Sequence, residues 1–137
     1  MLYSLQFEFL HQYALEDRGI SLPVRLSVGT RQAHVTANLD TGAALCIFSR
    51  ECGEHLGLRI EDGLPARVGT PTGGLFRAFG HTVTLNVLGL SFETTVYFPE
   101  LPDFPRNVLG RRGWLNRVRL ALIDYEGRLY VSPYQQH

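Results

Sequence analysis

Apolar residues recur in short alternating runs, each closed by glycine or proline. This period of two predicts strands rather than helices. Leu22-Pro23-Val24-Arg25-Leu26-Ser27-Val28 alternates and stops at Gly29. Ala33 to Leu39 alternates again and delivers the chain to Asp40. Leu64 to Thr70 and Leu75 to Leu85 read as two strands joined by the turn Pro71-Thr72-Gly73-Gly74. Ser91 to Phe98 is a further strand, after which Pro99, Pro102 and Pro105 mark a loop. Asn107-Val108-Leu109-Gly110 is an apolar strand end, and Arg111 to Asn116 has room for one helical turn. Val118 to Asp124 and Arg128 to Ser132 form a closing hairpin around Glu126-Gly127. At the front, Leu2 to Leu10 alternates imperfectly with high strand propensity, and Gln12 to Arg18 is a polar turn or short helix.

One stretch breaks the period. Leu45-Cys46-Ile47-Phe48 is a short buried strand, and Ser49 is an N-cap residue type opening a helix over 50–58. Gly57 is placed to end that helix, while Gly53 weakens it by roughly 1 kcal/mol relative to alanine. The expectation is an all-β, closed-barrel-like domain with one or two short helices. A chain of 137 residues suits one domain, with 1–19 as an N-terminal extension and 20–132 as the core.

Thirteen basic residues match thirteen acidic ones, so no global charge draws the chain to nucleic acid or anionic lipid. The basic spots Arg111-Arg112 and Arg117-Arg119 are short. No apolar run reaches the roughly 18 residues of a membrane helix. The N-terminus lacks a basic region, and Gln6 and Glu8 interrupt its apolar residues, so it reads as a mature strand. Neither nucleic acid nor membrane is expected as a partner, and the cytoplasm is the favoured location. Cys46 and Cys52 are not spaced as C-x-x-C. Cys46 reads as a buried free thiol, with a disulfide left open. His11, His34, His55, His81 and His137 are scattered without metal-ligand spacing, and neither a serine elbow nor a phosphate loop occurs. No metal or other cofactor is expected.

The chemistry concentrates at Leu39-Asp40-Thr41-Gly42-Ala43. A carboxylate at the end of an apolar strand is held rigidly. Gly42 can turn tightly and bring its N–H near that carboxylate, and the Thr41 hydroxyl can bond neighbouring backbone and lock the loop. Two such loops face to face would bring two carboxyls together. They would share one proton, because like charges that close cannot both ionise. The ionised member would activate a water and the protonated one would polarise a scissile carbonyl. Taken alone, Asp-Thr-Gly turns up by chance in roughly 3% of chains this long, and a simple strand-to-turn corner also accounts for it.

The wider context narrows that choice. The motif is followed by Leu45 to Phe48 and then by a helix ending in Leu56-Gly57-Leu58. This string resembles the retropepsin family, the retroviral and retroviral-like aspartic proteases. The hairpin around Thr72-Gly73-Gly74 falls where that family has its flap, and Asn107-Val108-Leu109-Gly110-Arg111 resembles its apolar-apolar-Gly segment beneath the catalytic loop. The resemblance covers Leu22 to Leu115 well and the two ends loosely; the extension Met1 to Gly19 is longer than a minimal family subunit needs and would add a strand to the dimer sheet or cover the cleft. It implies an aspartic endopeptidase with Asp40, Thr41 and Gly42 catalytic, and Val108, Leu109, Gly110 and Arg111 supporting the site. It also implies that Ala43, Ala44, Thr72, Gly73, Gly74, Leu75 and Phe76 border an extended peptide or protein substrate.

The chain departs from the family at Ala44, where many retroviral members carry an acid that pairs with the arginine of the Gly-Arg step. Arg111 therefore lacks its usual local partner. Only one Asp-Thr-Gly occurs, since Asp17, Asp62, Asp103 and Asp124 lack the following Thr-Gly or Ser-Gly. A single copy in a chain this short implies a homodimer with the site on a two-fold axis. The alternative is a catalytically inactive retropepsin-like dimerisation or peptide-binding module.

Overall fold

The structure is a computed structural model and describes residues 1–104 and 106–135. Pro105, one of the expected loop markers, and His137 lie outside the described residues. The expectation of an all-β chain with few short helices holds. Strands β1 (Phe9–Gln12), β2 (Ser21–Val28), β3 (Arg31–Leu39), β4 (Leu64–Gly69), β5 (Leu75–Val87), β6 (Leu90–Pro99), β7 (Asn107–Leu109), β8 (Val118–Ile123) and β9 (Arg128–Pro133) make two sheets. Helix α1 (Arg50–His55) and three short 3-10 turns complete the described residues.

The larger sheet closes into a ring. β5 pairs antiparallel with β2 and with β6, β2 pairs with β3, and β3 runs parallel to β7. The remaining gap between β7 and β6 is bridged by the segment after Asp40, where Ile47 pairs with both Val108 and Tyr97. Four backbone hydrogen bonds of 2.7–3.0 Å carry that bridge: Ile47 N to Val108 O, Val108 N to Ile47 O, Phe48 N to Tyr97 O, and Tyr97 N to Cys46 O. Leu45 to Phe48 is therefore a stave of the barrel, which explains its uninterrupted apolar character. Inside the ring lie Leu22, Leu26, Ala37, Phe48, Leu85, Val96, Phe98 and Leu109, all buried. Their alternate neighbours face outward, as the pleat requires.

Turn chemistry sets the hairpin ends. The β5–β6 turn places both Leu88 (φ 52°) and Gly89 (φ 86°) in the left-handed region, the geometry of a two-residue hairpin turn. That turn lets β5 run two residues beyond its expected end. Ser49 caps α1 as expected, its side chain accepting from Cys52 N at 3.2 Å. The helix stops sooner than expected, at His55. Gly57 (φ 82°) donates to Glu54 O and Leu58 N donates to Gly53 O, a Schellman ending. Gly53, a weak residue for a helix, has a packing role. A Cβ there would lie 2.6 Å from Ile60 Cδ1 and 2.8 Å from the Phe98 ring.

The second sheet orders its strands β1-β9-β8, with the final hairpin as expected and Gly127 (φ 66°) at its turn. The N-terminus differs from expectation. Only Phe9–Gln12 is a strand, paired with β9 of the same chain, while Met1, Leu2 and Tyr3 are exposed. Alternation marks residues able to form a strand, but a ladder needs a partner edge, and β9 offers one only to this stretch. The helical turn expected over 111–116 is instead a 3-10 turn at Leu115–Arg117.

Candidate active site

Asp40 directly follows β3. Its backbone N–H donates to Leu109 O at 3.0 Å, extending the parallel β3–β7 ladder by one bond. Two residues on, Gly42 N donates to the Asp40 Oδ1 at 2.9 Å, so the loop's own backbone orients the carboxyl. Ala43 N donates to Asp40 O at 3.2 Å and closes the turn. Thr41 and Gly42 are exposed at its crest. The expected lock from Thr41 is absent. Its hydroxyl has no hydrogen-bond partner among the described residues, and the Gly42 N–H and Ala43 N–H hold the loop instead.

The segment 108–112 lies beneath this loop, the place that the retropepsin resemblance implies for it. Arg111 N donates to Ala43 O and Arg112 N to Ala44 O, both at 2.9 Å. Gly110 is buried between the two segments. A Cβ there would lie 2.7 Å from Leu45 C and 2.8 Å from Ala43 O, with Leu45 O nearer still. Real Cβ atoms do not approach backbone so closely, so only glycine fits. The structure thus brings Asp40 to Ala44 together with Val108 to Arg111. The Arg111 guanidinium is exposed and has no side-chain partner among the described residues.

Sequence reasoning missed two supports. The buried Cys46 Sγ accepts from Gly110 N at 3.3 Å and donates to Gly110 O at 3.8 Å. Burial pushes this thiol up to about 11, and burial does the same for Cys52. Both cysteines are free, which closes the question of a disulfide between them. Asn107 is the second support. Its Oδ1 accepts from Ser49 N at 3.0 Å and its Nδ2 donates to Thr36 O at 3.1 Å, tying the start of α1 to the base of the loop. A polar residue opening an otherwise apolar strand is the signal that could have found it.

The remaining expected site residues sit apart, on the β4–β5 hairpin. Its tip is exposed, and its bonds are internal: Thr70 N to Gly74 O at 2.8 Å, Gly73 N to Thr70 O at 3.0 Å, and Gly74 N to Thr70 Oγ1 at 2.9 Å. Thr72 Oγ1 lies 3.2 Å from Thr70 Oγ1, and Gly73 adopts φ 91°. Leu75 is exposed, whereas Phe76 packs against Phe104 with ring centroids 5.4 Å apart. Among the described residues no group of His, Cys, Asp or Glu could hold a metal ion, and no helix is long and apolar enough to cross a membrane.

No protein-family profile matches the sequence, and no curated protein matches it. Solved structures do match. One is the EIAV protease complexed with the inhibitor HBY-793, with a TM-score of 0.56 and 22% identity. The likeness covers 74% of this chain and 88% of that one. It establishes a retropepsin-like fold.

Proposed function

We propose that the chain is one half of an aspartic endopeptidase, a homodimer in which the Asp40 carboxyls of two copies face each other across a two-fold axis. One carboxylate activates a water, which attacks the scissile carbonyl of an extended peptide. That carboxylate takes the water's proton while the protonated partner gives its own to the carbonyl oxygen. As the C–N bond breaks, the first carboxyl passes its proton to the leaving amine and the second recovers its proton from the gem-diol hydroxyl. The observation that carries this reading is the Asp40 loop. Its carboxyl is set by Gly42 N–H, its backbone is clamped to Leu109 O, and its crest is exposed. A carboxylate held rigidly beside an exposed turn is what one half of such a dyad requires, and the single Asp-Thr-Gly leaves the other half to a second copy.

Two further features fit. The Thr41 hydroxyl has no partner among the described residues and sits beside Asp40, where it would bond the opposing loop. The outer edge of β8 carries no partner strand among the described residues, and Leu122 and Ile123 are exposed at its end. An unpaired apolar edge favours pairing with another chain. Under this reading Ala43, Ala44, Leu75 and Phe76 border the peptide, and the Thr72-Gly73-Gly74 tip closes over it.

The test is Asp40→Asn. Asn is nearly isosteric but neither ionises nor shares a proton, so the variant should keep its melting temperature and lose at least about 10³-fold in kcat/KM on a peptide library. Full activity in pure Asp40→Asn would overturn the assignment. A dimer that binds peptides yet never cleaves them would favour the non-catalytic module instead.

A further inference from the structure

A cavity of ≈ 510 Å³ opens beside the catalytic loop, beginning at Leu45. Leu45 pairs with Arg112 there, and Arg112 N donates to Ala44 O, so this arginine's backbone is fixed to the stretch that would border a peptide. Tyr97 and Thr95 are alternate residues of β6 and share one face, with Thr82 opposite Thr95 in register.

The polar groups of this cavity are unevenly used. At the far end the Arg117 guanidinium donates to Glu93 O at 3.2 Å and lies 4.5 Å from the centre of the Phe92 ring. Glu93 also lines that end. At the near end Arg112 is exposed and has no side-chain partner among the described residues. The Thr82, Thr95 and Tyr97 hydroxyls likewise have none. The cavity beside the loop is thus lined by one guanidinium and three hydroxyls that have no side-chain partner among the described residues.

We propose that this cavity reads an acidic side chain, Asp or Glu, of the bound peptide, with Arg112 as the residue that pairs with the carboxylate. The inference rests on the endopeptidase reading for the peptide's path. A guanidinium presents a planar fork matched to a carboxylate, and neighbouring hydroxyls can donate to the remaining lone pairs. A lysine at the same peptide position would meet Arg112 as a like charge. Leu45 lies five residues past Asp40 and an extended peptide advances about 3.3 Å per residue, so the acidic side chain falls within about four residues of the scissile bond.

Binding to the Asp40→Asn protein tests this without requiring cleavage. Fluorescently labelled decapeptides carrying Glu, Gln or Lys at each position in turn are titrated at low ionic strength and followed by anisotropy. One position should favour Glu over Gln by about tenfold and disfavour Lys. Adding Arg112→Glu should reverse that order, and Arg112→Gln should level it. Arg18→Glu, a charge reversal on the exposed loop before β2, should leave the ratios as they were. Equal affinities for Glu and Gln at every position, a Glu preference that survives Arg112→Glu, or no binding by any peptide would each overturn the proposal. The same peptides given to the native protein separate the two readings. A Glu preference in binding without cleavage fails the endopeptidase reading and keeps this one. Cleavage without a Glu preference does the reverse.

Discussion

Gly110→Ala is the smallest change that should disable the site without touching the carboxylate. The added methyl would sit 2.7 Å from Leu45 C and 2.8 Å from Ala43 O, and closer still to Leu45 O. All three are backbone atoms, so no rotamer change relieves them. Ordinary contact begins near 3.4 Å, so the two segments must separate by roughly 0.6–1.2 Å. The hydrogen bonds across that gap, Arg111 N to Ala43 O and Arg112 N to Ala44 O, stretch or break as it opens. Overpacking of a filled interior costs about 1–3 kcal/mol, and rigid backbone on both sides places this site at the upper end. A loss of about 3 kcal/mol would lower the melting temperature by roughly 10 °C. A displacement of about 1 Å at a catalytic group costs on the order of 10²-fold in rate. Thermal melts followed by circular dichroism and kcat/KM on one peptide read the two effects. A variant with the native melting temperature and native kcat/KM would refute the claim that this glycine lets the two segments touch.

Thr41→Ala should leave the monomer's urea midpoint unchanged, since no intrachain bond is lost. It should raise the dimer dissociation constant about 10- to 30-fold in sedimentation equilibrium, because two bonds across the axis disappear. An unchanged constant would remove Thr41 from the interface. Gly73→Val forces a β-branched residue to φ 91° at the exposed hairpin tip, so turnover should fall far more than thermal stability. Equal kinetics would show that this hairpin is no lid. Burial raises the Cys46 thiol from 9.0 to about 11, so as pH rises the unfolded chain loses this proton first. The stabilisation is whole below pH 9 and declines as pH climbs toward 11, by about 1 kcal/mol for Cys46 at pH 10. Urea titrations at pH 8 and pH 10 should show this slope flattened in the Cys46→Ala, Cys52→Ala double variant. A slope of the same size in both proteins would refute the assignment to these thiols.

What was legible in the sequence is what local pattern encodes. β2, β3 and the closing hairpin followed from alternation, and Ser49 and Gly57 marked the start and end of α1 through their own backbone chemistry. The Asp40 loop was legible because its hydrogen bond from Gly42 spans only two residues. Features built by distant segments were not. Alternation over Leu2 to Leu10 could not say that β9, more than a hundred residues away, would pair only with Phe9–Gln12. The Cys46–Gly110 contact joins residues 64 apart, and the Arg112 cavity gathers β5, β6 and the turn after β7. A residue's type says what it can bond, and only the closed ring says what it meets.

That ring also determines which parts of the site are free to vary. Leu45 to Phe48 closes the barrel between β6 and β7, so the strand leaving the Asp40 loop is part of the wall of the core. Displacing it opens the core beneath Phe48 and moves Asp40 in the same step. Activity and stability should therefore fall together for changes at Gly110, Cys46 or Ile47. Thr41 stands outside the ring, exposed and with no side-chain bond among the described residues, and the Asp40 carboxyl bonds only within its own loop. Changes at these two positions should alter chemistry or assembly and leave the fold alone. The same division applies to charge. Arg111 and Arg112 are held by their backbone, and their side chains have no partner among the described residues. A scaffold that fixes backbone and leaves side chains unspent is suited to reading a peptide, because the groups that meet it are positioned without being already satisfied.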